Sequence, residues 1–103
     1  MNNKIIDESN QFVSDRDWDQ YHNPKDLALS VTLEASELLE NFQWVDSDTA
    51  IEQNRQNIQE EIADVMIYSI MLAQKLDIDV EDAILSKIKK NAEKYPADKK
   101  HEF

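Results

Sequence analysis

None of the 103 residues is glycine, and that absence removes whole classes of fold. A phosphate-cradling P-loop and a dinucleotide-binding glycine fingerprint both need backbone that approaches a ligand too closely for a Cβ. Tight primed hairpins favour glycine for its positive φ. The abundant residues are Glu, Gln, Lys, Leu and Ala, which form helix at low cost. The chain therefore reads as all-α, a four-helix-bundle-like domain over residues 1–95 followed by a polar tail at 96–103. At this length it holds one modest core, and a chain this small gains much from oligomerisation.

Other absences narrow the chemistry. There is no cysteine, so a disulfide, a thiolate nucleophile and a cysteine-based zinc site are all ruled out. With only two histidines, a His-rich transition-metal site lacks ligands. No apolar run is long enough to span a bilayer and no signal-peptide pattern opens the chain, so a cytosolic location is expected. The net charge of −11 repels nucleic acid and anionic membranes. It also repels free triphosphates, so a phosphate substrate would have to arrive with a cation.

Four segments carry helical periodicity. After a frayed Met1–Lys4, apolar residues recur at Ile5, Ile6, Phe12 and Val13 in a helix expected to reach Trp18 or Tyr21. Asn23-Pro24-Lys25-Asp26 is a helix start: a capping Asn, Pro at the first position and an acid in the first turn. The second helix is expected to run to about Gln43 on a stripe of Leu27, Val31, Ala35, Leu38 and Phe42. Asp46-Ser47-Asp48 offers the next cap, with the helix itself starting near Thr49 or Ala50. Ile58, Ile62, Val65, Ser69, Leu72 and Leu76 form its seam, and Ile67, Ile70 and Met71 add a second apolar side. Run from Ile51 to Lys75, this helix is roughly 37 Å long at about 1.5 Å per residue. A compact monomer of this size has a radius of gyration of roughly 13 Å. A rod that long, apolar on two sides, predicts a dimer or larger assembly. Asp79 caps a fourth helix, which Tyr95-Pro96 ends.

The chemistry concentrates in carboxylates. Glu34 and Glu37 interrupt the apolar stripe of the second helix, and Glu61 and Asp64 open the apolar run of the third. Residues three apart share a helix face, so each helix can present two acids side by side. Acids are abundant here, so spacing alone distinguishes nothing; position does. Asp79 and Asp82 are explained as a cap, whereas Glu61 and Asp64 lie mid-helix among Ile62, Val65 and Tyr68. Acids carried toward apolar surroundings must be paired, protonated or metal-bound. An oxygen-only site suits Mg²⁺, with Mn²⁺ possible; the alternative is a solvated rim. Lys87, Lys90 and Lys94 share one face that either binds phosphate oxygens or complements the helix dipole. Trp18, Tyr21, His22, Phe42 and Trp44 flank the second helix and either stack on a base or pack in a core or interface.

These residues carry a resemblance. Glu34-Ala35-Ser36-Glu37 followed by Glu61-Ile62-Ala63-Asp64 resembles the paired ExxE and ExxD signature of the MazG-type all-α nucleoside triphosphate pyrophosphohydrolases. Arg16-Asp17-Trp18, His22, Pro24, Glu40-Asn41-Phe42-Gln43-Trp44, Tyr68, Ile78-Asp79, Lys87, Asn91 and Lys94-Tyr95-Pro96 resemble the dCTP pyrophosphatase branch of that family. The likeness covers nearly all the chain after Asp15, and the order of its short motifs is more specific than any one of them. It implies Mg²⁺-dependent hydrolysis of a (deoxy)nucleoside triphosphate, such as dCTP or a related pyrimidine nucleotide, to the monophosphate and pyrophosphate. It implies Glu34, Glu37, Glu61 and Asp64 as catalytic metal ligands and Trp18 and Trp44 as base-stacking residues. His22, Tyr68, Lys87, Asn91, Lys94 and Tyr95 are implied as further substrate contacts. Many members carry a doubled acid at the first motif; here Leu33 precedes Glu34, whereas Glu60 does precede Glu61. Two rival readings stand beside this one: a non-enzymatic acidic helical interaction module, and a superfamily relative acting on phosphoribosyl-ATP or dUTP.

Overall fold

The computed structural model describes residues 3–18, 20 and 22–97. It contains four helices, α1 (Asn3–Asp15), α2 (Pro24–Glu40), α3 (Ser47–Lys75) and α4 (Val80–Lys94), and no strand among the described residues. The caps are those that the residue types dictate. The Asn23 side chain accepts from the Asp26 N–H at 2.8 Å with Pro24 at the first helical position. Asp46 Oδ1 accepts from the Thr49 N–H at 2.8 Å, and hydrogen bonds from Thr49 hold its carboxyl below the ordinary range. Asp79 Oδ1 accepts from the Asp82 N–H at 3.0 Å.

Without glycine, other residues take the left-handed conformation that ends helices. Asp17 (φ 54°) and Asp77 (φ 54°) occupy the positions where glycine is usual. Each ends its helix in the same pair of bonds. Trp18 N–H reaches Val13 O at 3.1 Å and Asp17 N–H reaches Ser14 O at 3.1 Å; Ile78 N–H reaches Ala73 O at 2.9 Å and Asp77 N–H reaches Gln74 O at 3.3 Å. Asp tolerates this region because its short side chain is only mildly penalised there. The third such residue is Trp44 (φ 68°), for which the conformation costs more.

α2 and α3 pack against each other as an antiparallel pair, and α1 lies against α3. A core cluster of Val13, Leu27 and Met71 joins the three, with Tyr68 and Leu72 packed on it. Leu27 retains 1% exposure. α4 is different: of its residues only Val80 is even partly buried. Its apolar Ile84, Leu85 and Ile88 face outward, as do Ile62 and Met66 of α3. The radius of gyration is 16.5 Å and the extents are 45 × 37 × 25 Å, more open than the roughly 13 Å of a compact chain this size.

Several helix limits differ from the sequence expectation. α1 begins at Asn3 instead of fraying through Lys4, and it ends at Asp15 because Asp17 turns left-handed. α2 stops at Glu40, and α3 starts at Ser47, directly after its Asp46 cap. The expected seam of α3 is only partly buried: Ile62 and Leu76 are exposed, whereas Ile70, Met71 and Ala73 are buried. Tyr21 and residues 98–103 of the expected tail lie outside the described residues.

Candidate active site

The antiparallel packing of α2 on α3 sets the early part of one against the late part of the other, and the acids meet in consequence. Carboxylate oxygens of Glu34, Glu61 and Asp64 all lie within 4.8 Å of one another. Each residue is half-buried. Oε2 of Glu34 and Oε2 of Glu61 are buried without a hydrogen-bond partner, an arrangement that costs free energy unless a cation or proton supplies the missing contact. Glu37 is exposed and stands outside this group of three, yet its charge bears on Glu34 and Glu61.

The electrostatics register the crowding. The Glu34 carboxyl is pushed up to about 7, first by burial, then by its contacts with the Glu37 and Glu61 carboxyls and by the charges of Glu37 and Asp64. Glu61 is raised as well, first by burial, with the contact to Glu34 pulling the other way. Burial and like charge together therefore disfavour the fully ionised cluster. Tyr68, one turn past Asp64, has its phenol raised by burial and by the charges of Glu34, Asp64 and Glu37. Hard oxygen ligands at this spacing, two of them with orphaned buried atoms, fit a divalent cation of the Mg²⁺ or Mn²⁺ type.

Asp64 and Tyr68 also line a cleft of ≈ 470 Å³ whose walls include Phe12, Trp18, Ile67 and Met71. Trp18 stands just past the left-handed Asp17, so the end of α1 aims it at α3. Its ring meets Phe12 edge-on at 5.3 Å and His22 at 6.0 Å, and the Arg16 guanidinium covers Phe12 at 3.8 Å. The indole stays 38% exposed, leaving surface for a planar partner. A largely apolar slot that shares Asp64 with the acid group suits a molecule with a flat ring and cation-bound phosphates.

Not every sequence candidate joins this site. His22 lines a neighbouring cleft of ≈ 480 Å³ with Asp17 and Leu27. Trp44, at the turn between α2 and α3, is 98% exposed and is not part of the Trp18 cleft. Lys87, Asn91, Lys94 and Tyr95 belong to α4 or its end, and none lines that cleft; Lys87 borders a separate groove of ≈ 330 Å³ between α3 and α4. Sequence reasoning missed Ser9, whose Oγ is buried and unpartnered in a residue that lines the Trp18 cleft. It also missed Asn41 as a hydrogen-bonding centre. Neither has a short-range signal, because each acquires its surroundings from a different helix.

An all-α chain with two acid-bearing helices packed antiparallel beside an aromatic cleft defines a class. The MazG-like family pattern matches residues 29–103, and the chain belongs to that family. It is 39% identical over 92 residues to dCTP pyrophosphatase 1 of Mus musculus and, over the same length, to that of Homo sapiens. Each match covers 84% of this chain and 54% of the relative, so the chain spans about half the length of the curated relatives it matches. The crystal structure of a pyrophosphatase from Archaeoglobus fulgidus superposes with a TM-score of 0.86 at 40% identity, covering 91% of each chain. No helix among the described residues is long and apolar enough to cross a membrane.

Proposed function

We propose that this chain is a nucleotide pyrophosphohydrolase that converts a (deoxy)nucleoside triphosphate, dCTP or a related pyrimidine nucleotide, to the monophosphate and pyrophosphate. The observation that carries the reading is the meeting of Glu34, Glu61 and Asp64, with two buried orphaned oxygens, beside the Trp18 cleft that Asp64 lines. Similarity to the dCTP pyrophosphatases supports the substrate class. Glu34, Glu37, Glu61 and Asp64 are assigned as ligands of Mg²⁺, which Mn²⁺ can replace. The chemistry such an ion supplies when bound is neutralisation of phosphate charge and a lower pKa for a coordinated water.

The protein's own groups do the rest. Phe12, Trp18 and Tyr68 hold the base by stacking and apolar contact. Excluding water from that slot strengthens the electrostatic interactions of the acids beside it. In the metal-free protein the Glu34 carboxyl stands at about 7, so a cation bound there displaces a proton. The net charge of −11 favours the cation-complexed triphosphate over the bare anion.

The working form is assigned as a homodimer or homotetramer in the cytosol. The exposed apolar faces of α3 and α4 support association. Trp44, Lys87, Asn91, Lys94 and Tyr95 are assigned as substrate contacts that such an assembly brings to the cleft. A panel of nucleoside triphosphates, assayed with and without Mg²⁺ and with products identified, tests the activity. Release of pyrophosphate and a monophosphate only with the metal is expected; turnover of no nucleotide would sink the reading. Sedimentation analysis tests the assembly, and a monomer at working concentration would refute it.

A further inference from the structure

Among the described residues, Asn41 is the only buried polar one, at 8% exposure. It directly follows α2, and its hydrogen-bonding groups are all engaged. Its side-chain Oδ1 accepts from Asn57 Nδ2 at 2.8 Å, and its backbone carbonyl accepts from Asn54 Nδ2 at 3.1 Å. Its Nδ2 donates to the carbonyls of Glu37 at 3.4 Å and Leu38 at 3.3 Å, and its own N–H reaches Leu38 O at 3.3 Å. α3 leaves helical geometry at Asn54 (φ −122°, ψ 20°), where that residue's side chain meets the end of α2.

We infer that Asn41, with Asn57, is the positioning element that locks the register of α2 against α3 and so brings Glu34 to Glu61 and Asp64. The inference rests on the metal-site reading above. Asn41 lies one turn after Glu37 and Asn57 one turn before Glu61, so the amide pair is the next rung beyond the acids on the same two faces. An amide pair with one buried member, Asn41, adds little net stability, but it discriminates between registers, because a slipped register leaves the buried amide unpaired. Sliding one helix by a turn moves it about 5.4 Å. That exceeds the 4.8 Å within which the three carboxylates now gather. Crowded carboxylates do not favour this register once ionised, so contacts elsewhere along α2 and α3 have to hold it before a cation arrives.

The test is Mn²⁺ binding without nucleotide, followed by electron paramagnetic resonance, on wild type, Asn57→Ala, Asn41→Leu and the double variant. Asn57 is exposed, so its truncation spares the core even if Asn41→Leu fails to fold. Each single variant is expected to weaken Mn²⁺ roughly tenfold, the scale for residues that orient metal ligands. The double variant is expected to be no worse than the weaker single. Val13→Ala, which loosens the core cluster elsewhere, should lower the melting temperature and leave Mn²⁺ affinity unchanged. Affinity within twofold of wild type in Asn57→Ala, or an equal loss in Val13→Ala, overturns the inference while the metal site stands. Failure of the wild type itself to bind Mn²⁺ overturns the metal reading and the inference with it.

Discussion

Glu34 on α2 and Glu61 on α3 meet across the interhelical seam with Oε2 of each buried and unpartnered. This contact joins the local chemistry of two separate motifs into one site. The Glu34 carboxyl, ordinarily near 4.5, stands at about 7 in the fold. A folded-state value above the unfolded one means that the folded protein binds the proton more tightly. The stabilisation is complete below about 4.5 and is lost as pH rises through about 7. Metal-free protein should therefore melt at a lower temperature at pH 8 than at pH 6, as calorimetry would read. A melting temperature that rises over that interval contradicts the assignment.

A divalent cation should reverse that trend. Its ligands must be deprotonated, so binding tightens as Glu34 ionises and releases a proton below about pH 7. Titration calorimetry in buffers of different ionisation enthalpy should show proton release at pH 6.5 that shrinks at pH 8. Magnesium should also raise the melting temperature more at pH 8 than at pH 6.

Glu61→Gln separates stability from activity. Removing one charge from a crowded acid cluster should leave helical content intact and raise the melting temperature of the metal-free protein at pH 8. Nucleotide hydrolysis should fall by roughly two orders of magnitude with the loss of a ligand. Pyrophosphate release at the wild-type rate would mean that the cluster is not the reacting site.

Trp18→Ala tests the cleft. Base stacking on an aromatic ring is worth about 1–3 kcal/mol, so KM for the nucleotide should rise about tenfold with a smaller change in kcat. Unchanged KM would move base recognition elsewhere, with Trp44 the next candidate.

Asp77→Gly tests the account of helix endings. Glycine removes the Cβ penalty at φ 54°, set against its own entropic cost in the unfolded chain. The balance should stabilise by up to about 1 kcal/mol, read by chemical denaturation. Destabilisation would show that the Asp77 side chain contributes more than its backbone costs.

The helices and the caps Asn23 and Asp79 were legible from the chain alone, because capping is local and each satisfies an N–H three residues on; for α3 the chain offered both Asp46 and Asp48, and the fold uses Asp46. Helical periodicity also marked Glu34, Glu37, Glu61 and Asp64 as acids on or beside apolar faces, of which Glu34, Glu61 and Asp64 gather in the fold. The left-handed turns were not legible, because Asp is common in acidic chains and nothing in its neighbours marks Asp17 or Asp77. Nor was the division of labour among the aromatics, in which Trp18 enters the cleft and Trp44 faces solvent. Local hydrogen bonding and periodicity act within a few residues and are written into the sequence. Which acids touch, which ring is sheltered and which amide sets the register depend on how α2 meets α3. That is a matter of packing between residues far apart in the chain, and only the tertiary structure decides it.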